Sequence, residues 1–126
     1  MKLLLDTHLL LRAASDQLSA EAVALIDDPA NDLMFSAASI WEIVIKSGLG
    51  RADFKTDPQL LRRGLTDNGY VELPITSEHG LAVGRLPDHH KEPFDRILVA
   101  QATVEGITLV TSDPVVARYP GPIRKV

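Results

Sequence analysis

PFDRILVAQATVEGITLVTSD, residues 93–113, holds a helix, a stop signal and a strand in one short stretch. Pro93 suits the first helical position, where its missing N–H has no intrahelical use. Ile97, Leu98, Val99 and Ala100 follow as an almost unbroken apolar run, so this helix is expected to be buried on most sides. Gly106 stops it, and residues 107–111 read as a strand. A buried helix feeding a buried strand is the repeating unit of a parallel sheet. Asp95 sits oddly in this stretch. An acid in the first helical turn is favoured by the helix dipole, by a few tenths to about 1 kcal/mol. On a helical wheel, however, its neighbours are Val99 and Ala102, so the carboxylate points over an apolar face.

The rest of the chain repeats the alternation. Strands are expected at residues 2–5, 32–36, 70–73 and 123–126, besides 107–111. Helices are expected at 8–14, 20–28, 37–47, 58–68, 76–85 and 93–105. Ser19 supplies an N-cap, Asp57-Pro58 a cap followed by proline at the first helical position, and Gly69 a stop. Strands alternating with helices predict an α/β fold with a mainly parallel sheet covered on both faces.

The totals agree. The 126 residues fit one domain, 1–126, long enough to bury a core. At 45% hydrophobic and 24% charged, the composition is that of an average globular protein. Apolar runs are too short to span a bilayer, and Asp6 and Arg12 break the apolar N-terminus that would otherwise resemble a signal peptide. No cysteine is present, which excludes disulfides and thiolate metal sites and is compatible with a cytoplasmic location. The net charge of −4 argues against simple electrostatic binding of nucleic acid.

In a parallel α/β sheet, strand C-termini and helix N-termini share one edge, where ligands bind. Asp6 ends the first strand, Asp113 follows the 107–111 strand, and Asp95 opens its helix. Glu42 lies little more than a turn into the 37–47 helix, sharing a polar wedge with Ser39 and Lys46. Each acid has a local explanation too. Asp6 and Asp113 suit turns, and Glu42 with Lys46 reads equally as an exposed i,i+4 ion pair. Together, four carboxylates in one cleft would repel one another, and a divalent cation would relieve them. An oxygen-only ligand set suits Mg²⁺ or Mn²⁺. A metal between protein and polyanion answers the charge objection, with Arg12, Lys46, Arg51, Arg96 and His89-His90-Lys91 as a basic rim.

DTHLLLR at 6–12, SAASIWEIVIKSGLGR at 36–51, LPDHHKEPFDRILVAQA at 86–102 and TSD at 111–113 closely resemble the PIN-domain ribonucleases. The nearest likeness is to the VapC-type toxins of bacterial toxin–antitoxin pairs, and it spans essentially the whole chain. The resemblance implies a five-stranded parallel sheet with helices on both faces and an acidic cleft for Mg²⁺ or Mn²⁺. It puts the four acidic positions on Asp6, Glu42, Asp95 and Asp113, where metal would orient and activate water for attack on RNA. Thr7 and Thr111 or Ser112 would position ligands and water. Arg96 would contact the carboxylates or substrate, and Lys46 and Arg12 would meet substrate. A cognate antitoxin tail in the groove and a homodimer or toxin–antitoxin hetero-oligomer are further expectations, with no membrane partner. The sequence departs from the subgroup at Arg12, where an aromatic residue is usual, at Glu92 for Asp, and at Val116 for Phe.

Other residues are expected to be structural: Trp41 and Phe94 as core, His89-His90 as a solvated loop pair, Arg62-Arg63 as a solvated helix face. Two other function classes compete. A receiver-type phosphoacceptor domain needs an acidic pair after the first strand and a late lysine, whereas this chain has DTH and LVTSDPVV. A non-catalytic PIN-like interaction module would keep the fold without needing the four acids.

Overall fold

A computed structural model describes residues 1–126. Five strands, β1 (Lys2–Leu5), β2 (Asp32–Ser36), β3 (Val71–Leu73), β4 (Thr108–Thr111) and β5 (Ile123–Lys125), form one sheet in the order β3-β2-β1-β4-β5. Every neighbouring pair is parallel. Six α-helices connect them: α1 (Thr7–Ala14), α2 (Ala20–Asp27), α3 (Ala37–Gly48), α4 (Pro58–Asp67), α5 (Ser77–Val83) and α6 (Pro93–Glu105).

The middle strand explains the layering. Side chains alternate along a strand, so Leu3 and Leu5 face one way and Leu4 the other. Leu3 and Leu5 join a core with Leu9 and Leu10 of α1, Ile43 of α3 and Leu61 and Leu65 of α4. Leu4 joins a second core with Leu98, Val99 and Ala102 of α6. All three leucines are at most 1% exposed, each contributing about 1.5–3 kcal/mol by leaving water. Both faces of the sheet are therefore covered, as an all-parallel sheet requires.

Helix α6 matches its expected span because both ends are punctuated: Pro93 opens it and Gly106 closes it in the left-handed region, φ +69°. Two strands start one residue later than expected. Their predecessors still close the preceding helix: Ile107 N–H donates to Ala102 O, and Tyr70 N–H to Leu65 O. Helix α5 is shorter than 76–85, starting after its N-cap Thr76 and ending before Gly84. Two short 3-10 turns, Ala52–Phe54 and Val116–Arg118, lie between the expected strands and helices.

Helix α3 decides between the two readings of its polar wedge and corrects that of Trp41. Its polar wedge faces inward, with Ser39 and Glu42 each 1% exposed, while Trp41 is 59% and Val44 50% exposed. Glu42 and Lys46 are thus no solvated stripe, and Trp41 is not core. Phe94, half-buried, meets Trp41 edge-on with ring centroids 5.4 Å apart.

Candidate functional site

The sheet edge at the strand C-termini gathers the polar residues. Asp6 follows β1 directly and is buried. One carboxylate oxygen caps α1 by accepting from Leu9 N–H at 2.9 Å, and the other accepts from Thr111 Oγ1 at the end of β4. Burial pushes its carboxyl up, and the Thr111 and Leu9 hydrogen bonds pull it back in part. Thr111, fully buried, also accepts from Asp113 N–H at 3.0 Å. One hydroxyl therefore links the first acid to the segment carrying the last.

Beside Asp6, Thr7 Oγ1 donates to Ser39 Oγ at 2.9 Å, tying α1 to α3. Ser36 caps α3 through Ala38 N–H and donates to Gln101 Oε1 on α6 at 2.7 Å. Gln101 in turn donates to Pro74 O, just past β3. The three helices around the cleft are held in place by these buried contacts.

Glu42 enters from α3. Its Oε2 accepts from Lys46 Nζ at 2.5 Å, and its Oε1 is buried with no hydrogen-bond partner. Lys46 is also buried, lies 3.4 Å from Glu92 Oε1, and stands over the rings of Phe54 and Phe94. Asp95 enters from α6 and meets His90 Nε2 at 3.1 Å. Burial, then the charges of Glu42 and Asp6, push the Asp95 carboxyl up to about 6, against the pull of His90. Asp6, Glu42 and Asp95 therefore share one electrostatic field.

Asp113 lies at the same edge, and its Oδ1 accepts from Val115 N–H at 2.8 Å. No three His, Asp or Glu side chains stand together closely enough to grip an ion. Protein donors instead occupy both oxygens of Asp6, from Leu9 N–H and Thr111, and one oxygen each of Glu42 and Asp95, from Lys46 and His90. The donor set still fits a hard cation. It is all oxygen, its members repel one another, and the Glu42 Oε1 orphan is a costly buried group that a cation would satisfy.

The basic residues are placed differently from expectation. Arg96, expected at the carboxylates or substrate, lines the groove beside His90 and Phe94. Its guanidinium donates to the carbonyls of Pro87 and Val83 and to the Tyr119 hydroxyl, pinning the 87–92 loop. Lys46 is inside the site rather than on its rim. Arg12 is exposed and donates to Ser112 Oγ at 2.6 Å. Arg51 pairs with Asp53. His90, read as solvated, links Asp95 to the buried Tyr119 hydroxyl, 2.8 Å from Nδ1. Buried Ser36, Ser39 and Gln101 also went unread as site residues, since their partners lie tens of residues away. The His90–Asp95 spacing of five was the one local signal.

A groove of about 560 Å³ opens beside Asp95, lined by Trp41, Ile75, Val83, His90, Phe94 and Ile97 among others. No helix of the chain is long and apolar enough to cross a membrane.

Residues 3–122 match the family model described as the PIN domain. Among solved structures, the chain is similar to VapBC2 from Rickettsia felis bound to a promoter DNA fragment, with TM-score 0.73 and 15% identity over 99% of this chain and 98% of that one. It is similar to DNA-bound VapBC from Salmonella typhimurium, with TM-score 0.69 and 14% identity over 99% and 98%. It is also similar to VapBC-1 from nontypeable Haemophilus influenzae, with TM-score 0.66 and 15% identity over the same shares. At these identities the likeness is one of fold. No curated protein sequence matches the chain.

Proposed function

The chain belongs to the PIN-domain family, and from that premise we propose that it is a metal-dependent endoribonuclease acting as the toxin of a VapC-type toxin–antitoxin pair. The observation that carries this reading is the cluster of Asp6, Glu42 and Asp95, whose charges oppose one another around a buried, unpartnered Glu42 oxygen. Mutual repulsion of this kind marks a site built for positive charge.

Asp6, Glu42 and Asp95 would hold Mg²⁺ or Mn²⁺, with Asp113 completing the set if its carboxylate leaves the Val115 N–H. The cation would supply charge neutralisation at an RNA phosphate and water activation near neutral pH. The chain's own groups do the positioning. Thr111 holds the Asp6 carboxylate from below, and the Thr7–Ser39 bond fixes the start of α1 against α3. His90 orients Asp95 and is itself held by Tyr119. Arg12 and Ser112, hydrogen-bonded to each other at the same edge, would meet the RNA backbone.

The cognate antitoxin would lie in the Trp41–Phe94 groove, whose exposed apolar lining invites a covering partner. Three of the structural neighbours are VapBC proteins, which supports such a pairing; a homodimeric or hetero-oligomeric assembly is part of the proposal.

The test is cleavage of structured and single-stranded RNAs by purified protein with Mg²⁺, Mn²⁺ or EDTA, beside Asp6→Asn and Asp95→Asn variants checked for folding. The expected result is cleavage that needs metal and disappears in both variants. Cleavage unchanged in the folded variants would overturn the site. Failure to cut any RNA, combined with binding of a partner protein, would favour the non-catalytic interaction module.

A further inference from the structure

Phe54 is a fully buried ring with basic side chains gathered around it. Lys46 Nζ lies 5.1 Å from the ring centroid, the Arg51 guanidinium 5.3 Å, and the His8 ring meets it edge-on at 5.4 Å. The path of the chain makes this corner. Gly50 turns at φ +75° after α3, Arg51 N–H donates back to Lys46 O, and the 3-10 turn Ala52–Phe54 follows. The corner borders the acids from two elements: Lys46 of α3 pairs with Glu42, and His8 lies in the first turn of α1, which Asp6 caps.

Arg51 is held in a distinctive way. Its Nε and Nη2 donate to the two oxygens of Asp53 at 3.3 and 3.0 Å, and His8 Nε2 lies 3.5 Å from the same carboxylate. A guanidinium fork takes two oxygens of a phosphate as it takes the two of a carboxylate. The pair is open to water, with Arg51 47% and Asp53 44% exposed. An exposed pair of this kind contributes little, at most about fivefold in a binding constant. It therefore yields to a phosphate on a polyanion, whose binding also releases counterions.

We propose that Arg51 binds an RNA phosphate flanking the acid cluster, and that Asp53 fills its fork in the phosphate's place until RNA arrives. This rests on the ribonuclease reading above and deepens it by naming a backbone subsite besides Arg12 and Ser112. Phe54 carries the guanidinium on its ring, and His8 stands at the far side of the fork as a second contact for the incoming anion.

The test is binding of a short fluorescein-labelled single-stranded RNA to the full chain, followed by anisotropy over a salt series. It is run in Ca²⁺, with the strand confirmed intact on a gel, and again in EDTA. Wild type, Arg51→Met, Asp53→Asn and the double variant are compared, each checked by circular dichroism; methionine keeps an apolar cover over Phe54. Asp53→Asn is expected to tighten binding roughly threefold, as the competing carboxylate is lost. Arg51→Met is expected to weaken binding by a similar factor and to flatten the plot of log affinity against log salt by about 0.7, one phosphate contact on a single strand. In the Arg51→Met background, Asp53→Asn should lose most of its gain, because no fork remains to compete for. Equal gains in both backgrounds, or an unchanged salt slope in Arg51→Met, would overturn the subsite, reduce Asp53 to a general field effect and leave the ribonuclease reading standing. No RNA binding by any of the proteins in either condition would overturn the ribonuclease reading itself, and this proposal with it.

Discussion

Asp95 shows how the site costs the fold something. Its carboxyl lies near 6 rather than the ordinary 3.8, so the folded chain binds that proton more tightly than the unfolded chain does. Stability from this group is therefore fully present below about pH 4 and declines as pH rises through 6, reaching a cost on the order of 3 kcal/mol. In EDTA at pH 8, Asp95→Asn should then raise the urea midpoint while abolishing RNA cleavage in Mg²⁺. A lower midpoint would mean that the His90 contact outweighs the burial cost. Thr111 runs the other way. Thr111→Val strips a donor from Asp6 and an acceptor from Asp113 N–H in a fully buried place. Chemical denaturation should show a loss of about 1–3 kcal/mol. Single residues differed in legibility. Asp6 and Asp95 could be read because they stand beside strand and helix boundaries that any α/β chain turns into a ligand edge. Arg96 and His90 could not. Their roles depend on Tyr119, 23 and 29 residues away, and on loop carbonyls that no pattern of side chains announces.

At the level of elements, punctuation decided what could be read. Helix α6 has proline at one end and a left-handed glycine at the other, and its bounds followed. Gly106→Ala would put a Cβ at φ +69° with nothing within 4 Å, so the expected penalty is backbone strain alone, about 1 kcal/mol. Thermal melts of the Ala and Asn variants check this, Asn being the milder change. On helix α3 only the placing of Trp41 in the core was wrong, and for a physical reason. A helical wheel cannot say which stripe meets water: here the polar stripe carries a buried ion pair, and Trp41 lines the groove while Val44 is exposed.

Across the molecule, the exposed apolar surface beside the acids makes a prediction about partners. Trp41 is the chain's single tryptophan and is 59% exposed. Adding the cognate antitoxin should shift its emission to the blue and protect it from an added quencher. Unaltered emission in a stable complex would put the antitoxin on another face. The sheet order has a different consequence, one of timing. β1 leaves the ribosome first, but it is the middle strand and needs β4 beside it. Asp6 must wait for Thr111, 105 residues later. At synthesis rates of about 5–20 residues per second, that wait is roughly 5–20 s. Throughout it the growing polypeptide carries Asp6 without the hydroxyl that holds it, and a chain cut short before Thr111 never gains that hydroxyl.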